Sequence, residues 1–144
     1  MAALLGPANA GATLGGGSAS LGVDRARMHA RGTERVSGSI PGTYTVHESS
    51  LPTGTLVRQY LSTAGVVFAV TWSGPFKPDL QQLLGAHFDT MLARQAGHVH
   101  AGAPLVAQHN ADLVVESGGH MRGFVGRAYL PAALPPGVNV QDLQ

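Results

Sequence analysis

The chain has 144 residues, of which 44% are hydrophobic and only 12% are charged, a composition that suits one domain with an apolar core and excludes a wholly disordered chain. The net charge of +1 provides no long-range field for nucleic acid, and the absence of cysteine excludes disulfides and thiol chemistry. No apolar run is long enough to span a membrane, so we expect neither a nucleic-acid partner nor a transmembrane segment.

The first 42 residues predict a leader and a flexible segment. Residues 1–10 read MAALLGPANA, in which Ala8, Asn9 and Ala10 have the small-x-small form that precedes a signal-peptide cleavage site. We interpret them as the remnant of a signal peptide, with an ordinary N-terminus as the alternative. Residues 11–42 are rich in Gly, Ser and Arg and bury little, so we expect a flexible segment with a short helix near residues 24–30. The location predicted is periplasmic or secreted, with cytoplasmic as the alternative.

Residues 44–74 predict three consecutive antiparallel strands joined by turns that contain Pro or Gly. The first two, at residues 44–49 and 55–61, alternate with period two. The third, at residues 66–72, is apolar on both faces and is therefore expected at the centre of the sheet. The alternation predicts that one of its faces carries Val66, Phe68, Val70 and Trp72 and the other Val67 and Ala69.

An amphipathic helix is predicted at residues 78–96, because apolar side chains recur there at helical spacing. After it come a strand at residues 112–116, a hairpin turn at 117–120 and a strand at 121–130, with an optional strand at 105–108. Gly123 and Gly126 within the last strand indicate a bulge, or a place where another side chain lies close over the backbone. Residues 132–144 are expected to be a loose tail.

The predicted fold is α+β. It consists of one antiparallel sheet of about five strands in the order β-β-β-α-β-β, with the helix packed on one face, and a small curled roll around the helix is the alternative. The domain is expected to span residues 43–131. The second face of the sheet is expected to be covered by the N-terminal segment or by a partner.

Several motifs resemble a known family. They include YTVHE at residues 44–48, AGVVFAV at 64–70 and DLVVESGGHMR at 112–122. These are similar to motifs of small exported bacterial proteins grouped as the domain of unknown function family DUF2844. The resemblance covers roughly residues 43–131 and implies export. It brings no activity, cofactor or site residue with it.

No residue set predicts catalysis, since the chain has no G-x-S-x-G elbow, no Walker loop and no H-E-x-x-H motif. Five residues are candidates for ligand binding: His47, Arg58, Trp72, His120 and Arg122. The glycine-rich stretch at 117–122 can form an anion-binding concavity. The aromatic side chains of Tyr60 and Trp72 can line a ligand-binding groove. The strand arginines Arg58, Arg122 and Arg127 can bind a carboxylate or pair with Glu48 and Glu116 if they share a face.

The seven histidines allow a weaker metal hypothesis, in which His98, His100 and His109 supply nitrogen ligands. No cofactor is predicted. The preferred function is a non-enzymatic exported module that binds a protein or small-molecule partner or takes part in assembly. The alternative is a small hydrolase or metal-dependent enzyme that uses the loop and turn histidines.

Overall fold

The computed structural model describes residues 14–27, 29, 31–36, 44–85, 87–89, 106–109 and 113–143, and these are mostly β-structure. One open antiparallel sheet contains the strands in the order β1-β2-β3-β4-β7-β6-β5. They are β1 (Arg31–Val36), β2 (Tyr44–Ser50), β3 (Leu56–Ser62), β4 (Val67–Gly74), β5 (Val106–His109), β6 (Val114–His120) and β7 (Gly123–Tyr129). The single antiparallel sheet is therefore confirmed. The predicted strands form its centre, β5 corresponds to the optional strand, and β1 was not predicted.

The helices are short. α1 (Ser18–Arg27) precedes the sheet, and α2 (Leu80–Leu84) follows β4. The side chain of Asp79 accepts a hydrogen bond from the backbone N–H of Gln82 and caps α2, which ends at Gly85 with φ 53°. Residues 87–89 are helical again, whereas residues 86 and 90–96 lie outside the described residues. The predicted continuous helix is thus observed only in part, because the helix is interrupted at Gly85. None of the described helices has the length and apolarity needed to cross a membrane.

One face of the sheet, here called the helix face, is covered by the two helices. Its core contains Val57, Val70 and Trp72 from the sheet, Leu21 from α1, and Leu83 and Leu84 from α2. The Arg27 Nη1 atom also donates to Gln82 Oε1 at 3.3 Å, which links α1 to α2. Helix-on-sheet packing is the arrangement predicted for this face.

The segment that precedes α1 belongs to the core. Leu14 is 1% exposed and Leu21 is 5% exposed, and both lie on the helix face. The backbone of residues 14–17 bonds to α2 and to β4: Leu14 N–H donates to Leu83 O at 3.0 Å, and Val67 N–H donates to Gly16 O at 2.9 Å. The expectation of a flexible segment is therefore wrong for these residues. Two leucines in a Gly-rich run suffice, since the backbone of the neighbouring Gly15 and Gly16 finds its hydrogen-bond partner in Val67 of β4.

The opposite face, here called the outer face, is partly covered by the C-terminal segment. Its apolar core contains Tyr44, Tyr60, Phe68 and Tyr129, packed under residues 130–143. That segment carries two short 3₁₀ helices, Pro131–Ala133 and Val140–Asp142, and Leu143 is 2% exposed. The prediction of a loose tail is wrong for residues 132–143, since this segment takes the covering role expected of the N-terminal segment or of a partner.

Strand β4 changes face at one point. The register shifts where Tyr60 pairs with Ala69 and Leu61 pairs with Val67. Phe68 consequently lies on the outer face with Ala69, whereas Val67, Val70 and Trp72 lie on the helix face. The strict alternation predicted for this strand is wrong because one extra residue in a ladder reverses the faces on either side of it.

The β6–β7 hairpin turns later than predicted. His120 pairs with Gly123, so that Met121 and Arg122 form the turn, and Arg122 adopts a left-handed conformation with φ 72°. The glycines of the predicted turn lie instead within β6. Gly126 is confirmed as a place of close approach, because a Cβ there would collide with the indole of Trp72 and lie 2.8 Å from Glu116 O.

Candidate functional site

Charged and hydroxyl side chains form one row across the outer face. Neighbouring strands pair Glu48 with Arg58, Arg58 with Thr71, Thr71 with Arg127, and Arg127 with Glu116. Directly paired residues of antiparallel strands share a face, so these five side chains, here called the polar row, lie side by side. The next row toward the open end of the same face contains Ser50, Leu56, Ser73, Val125 and Gly118.

A groove of about 570 Å³ lies over the middle of these two rows. Its lining spans both halves of the sheet and ends at the C-terminal segment; it consists of Arg58, Thr71, Trp72, Ser73, Glu116, Ser117, Gly118, Val125, Gly126, Arg127 and Leu143. Its volume falls in the range of small-molecule sites. Within the described residues, the covering segment contacts the groove through Leu143.

Each arginine of the polar row is held by a glutamate on the strand beyond it. The Nε atom of Arg58 donates to Glu48 Oε2 at 2.9 Å, and the Nε atom of Arg127 donates to Glu116 Oε2. Arg127 Nη1 also donates to the backbone oxygen of Val140 at 2.9 Å, which anchors the C-terminal segment beside the groove. These charge-assisted bonds fix the two guanidinium groups on either side of Thr71.

The floor of the groove is supported from the helix face. The Trp72 indole is 2% exposed and lies over Gly126, a position where any side chain would displace it. Within the described residues its Nε1 atom is the one buried side-chain polar atom that has no hydrogen-bond partner. The β4–β7 backbone at the groove is thus packed tightly from behind.

The buried end of the outer face holds an aromatic cluster. The ring of Tyr44 lies 5.8 Å from that of Tyr60 and 5.9 Å from that of Phe68, the latter edge to face. Burial raises the pKa of the Tyr44 phenol, and the nearby Tyr60 and Asp142 raise it further because their negative charges oppose its ionisation.

The residues singled out in the sequence do not share one surface. Arg58 and Trp72 line the groove, but His47 pairs with Gln59 on the helix face. His120 ends β6 and is exposed, and Arg122 is exposed in the turn that follows; neither lines the groove. The arginine–glutamate pairings considered for Arg58 and Arg127 are both present.

Sequence reasoning missed Thr71, Ser73, Val125 and Leu143 as groove residues. Thr71 is a lone hydroxyl in the apolar run VFAVTW, and that isolation was the available signal. Its position between two arginines depends on strand order, which the sequence did not reveal. Leu143 falls in the stretch for which the sequence predicts a loose tail, and such a prediction gives no reason to expect a site residue there.

The metal hypothesis finds no support in the described part of the chain, which holds no group of three His, Asp or Glu side chains that could bind an ion. His98 and His100 lie outside the described residues, and His109 ends β5.

Comparison with known proteins identifies a family but no activity. The family model described as "protein of unknown function (DUF2844)" matches residues 10–143. No curated protein and no solved structure matches the chain significantly. Because the model covers nearly all of the sequence, including the N-terminal leucines and the C-terminal segment, the chain belongs to the DUF2844 family.

Proposed function

We propose that this protein is a non-enzymatic, exported binding module whose ligand occupies the groove on the outer face. The observation that carries the proposal is the groove itself, a concavity of about 570 Å³ in which charged, hydroxyl and apolar side chains converge. Ligand sites in proteins combine a concave shape with a few well-placed polar groups in this way.

The lining favours binding over catalysis. Its described residues offer the hydroxyl groups of Thr71 and Ser73 on the outer face and include no histidine that would activate one of them as a nucleophile. Its charged groups, Arg58, Arg127 and Glu116, are engaged in ion pairs that hold them in place. Fixed charges of this kind orient a ligand without a chemical step.

Export is part of the proposal and is supported by the signal-like stretch that ends at Ala10. The protein, expressed from its native gene with a C-terminal tag, is expected in the periplasmic or extracellular fraction. Recovery in the cytoplasmic fraction alone would contradict this part of the proposal.

The groove is tested by filling it. Ser73 is exposed, lies on the outer face and lines the groove, so that Ser73→Phe should block the site while leaving the fold intact. Ser50→Phe is a matched control: Ser50 is also exposed and lies in the same row, separated from Ser73 only by Leu56, but it does not line the groove.

A library of small organic molecules would be screened by thermal shift and ligand-observed NMR against the wild type and both variants. The proposal predicts ligands that bind the wild type and Ser50→Phe but not Ser73→Phe. Ligands that bind all three proteins equally, or a library without any binder, would contradict a groove-based binding function.

A further inference from the structure

The polar row has a symmetric arrangement of charge. Two arginines flank Thr71 at the centre, and a glutamate lies beyond each arginine. Since Arg58 and Arg127 are both strand partners of Thr71, their Cα atoms lie roughly 10 Å apart by the usual spacing of neighbouring strands. That separation allows two long side chains to contact one small group placed over the threonine.

The glutamates orient the arginines. Each accepts a hydrogen bond from the Nε atom of its arginine and lies on the strand farther from Thr71; the distance from Arg58 Nε to Glu48 Oε2 is 2.9 Å. A guanidinium carries five N–H donors in a rigid plane; the contact to the glutamate engages Nε in each arginine, and Arg127 also donates through Nη1 to the backbone oxygen of Val140. Planar bidentate recognition by such a group is the usual way in which proteins bind a carboxylate.

The charge balance of the polar row indicates how much negative charge the ligand carries. The polar row holds two arginines and two glutamates, and each glutamate is paired with an arginine, so the formal charges of the row balance. A monoanion placed over Thr71 meets less repulsion from Glu48 and Glu116 than a phosphate dianion would.

The walls favour an apolar body attached to the anionic group. Val125 is 51% exposed on the floor beside Ser73, and Leu143 closes the end of the groove. An exposed valine at the base of a concavity gains from contact with an apolar ligand, because that contact removes its surface from water.

From this geometry we infer that the groove binds a monocarboxylate with an apolar body, the carboxylate lying over Thr71 between Arg58 and Arg127. The inference rests on the proposed function and specifies its ligand class. The same chemistry is offered by a free carboxylic acid and by the C-terminal carboxylate of a peptide, and the two sources are separated by the test.

The test compares octanoate with octanol, octylamine and octyl phosphate, all below micelle-forming concentrations, by titration of backbone amide NMR shifts. Octanoate is expected to bind at least about tenfold more tightly than each of the others, which corresponds to one charge-assisted interaction of about 1.4 kcal/mol. A short acetylated peptide ending in leucine, with a free or an amidated C-terminus, forms the second arm. Tighter binding of the free-acid peptide than of octanoate would assign the carboxylate to a peptide C-terminus.

Variants locate the carboxylate. Arg58→Gln should weaken octanoate binding about tenfold and leave octanol unchanged, while Arg122→Gln, the loss of an exposed arginine outside the groove, should change neither. Thr71→Val tests the centre of the row without removing a charge and should weaken octanoate binding alone. Glu116→Gln raises the lining charge and should shift preference toward octyl phosphate.

The outcomes separate the inference from the proposed function. Octanol or octylamine binding as tightly as octanoate, with the binding abolished by Ser73→Phe, would overturn the carboxylate assignment but retain the groove as the site. Octanoate binding that persists in both Arg58→Gln and Thr71→Val would also overturn the assignment. Failure of octanoate and of the free-acid peptide to bind the wild type would do the same, even if the library screen finds other groove ligands.

Discussion

The two faces of the sheet are covered in different ways. The helix face is packed by α1, α2 and Leu14, and its core reaches from Val67 to Trp72 along β4. The outer face is packed by residues 130–143 over its aromatic end only. Beyond the polar row it is open, and Val125 there is 51% exposed.

The difference shows how a groove can arise on a flat sheet. Apolar residues need cover, and the C-terminal segment provides it as far as Tyr129 and Val114. The charged residues of the polar row would lose solvation under an apolar cover, whereas the aromatic residues gain from it. The groove therefore lies over the polar row and the row beyond it, next to the buried aromatic cluster.

The largest expected effect comes from disrupting the packing of Trp72 against Gly126 on the helix face. Gly126→Ala places a methyl group against the Trp72 indole and 2.8 Å from the Glu116 backbone oxygen. Neither strand can move without disturbing the sheet, so the free energy of unfolding should fall by about 3 kcal/mol or more. Urea unfolding followed by circular dichroism measures this loss.

Gly123→Ala is the control, since the nearest neighbour of its added methyl group would be His120 O at 4.0 Å. This variant should lie within about 0.5 kcal/mol of the wild type. Equal stability of the two variants would contradict the tight support of the groove from behind.

Removing one leucine from each face tests whether both coverings are structural. Leu143→Ala and Leu14→Ala each remove a side chain that is at most 2% exposed, and each should cost about 2–3 kcal/mol in the same unfolding experiment. The two variants should differ in ligand binding at the groove, because only Leu143 lines it. A Leu143→Ala protein of wild-type stability would show that the outer face needs no cover.

The β6–β7 turn joins two strands that contribute side chains to both faces, and a substitution at Arg122 tests its backbone strain. Arg122 has φ 72°, a conformation that costs a non-glycine residue about 1 kcal/mol. Arg122→Gly should therefore raise the melting temperature, with a gain of about 0.5–1 kcal/mol. A loss of stability would mean that the arginine side chain makes contacts that outweigh its backbone strain.

The smallest expected effect is a pH dependence of stability that comes from the outer face. All three tyrosines of the chain lie in the outer-face cluster, and the pKa of Tyr44 is raised above its usual value of 10.0. The folded protein then holds its proton more tightly than the unfolded chain. Stability from this group is full below the unfolded pKa and is lost as pH rises through the folded pKa. Tyr44→Phe should flatten the alkaline fall in the urea midpoint above pH 10, and an unchanged fall would exclude Tyr44 as its source.

The central strands were predictable because their pattern is local. Period-two alternation identifies β2 and β3, and an apolar run identifies β4 at the centre. The turn of the β6–β7 hairpin was misplaced because Gly118 and Gly119 are the expected turn residues. In the actual register of the hairpin, Gly126 lies under Trp72. Trp72 belongs to a strand more than 50 residues earlier in the chain, so this contact has no local signal.

The site was only partly predictable for the same reason. Arg58, Arg127 and their glutamates could be named from strand periodicity, but their placement around Thr71 requires β4 to lie between β3 and β7. The covering segments also escaped prediction. Isolated leucines such as Leu14 and Leu143 carry no periodic signal, so their burial follows from the tertiary fold alone.

The strand order has a consequence for folding. Strands β1–β4 precede α2 in the chain and β5–β7 follow it, and the two groups of strands join along the single seam between β4 and β7. The polar row crosses that seam, with Arg58 on one side and Arg127 on the other. A ligand held by both arginines would connect the two sides of the seam, and its binding would stabilise the closed sheet by an amount that grows with the ratio of ligand concentration to Kd.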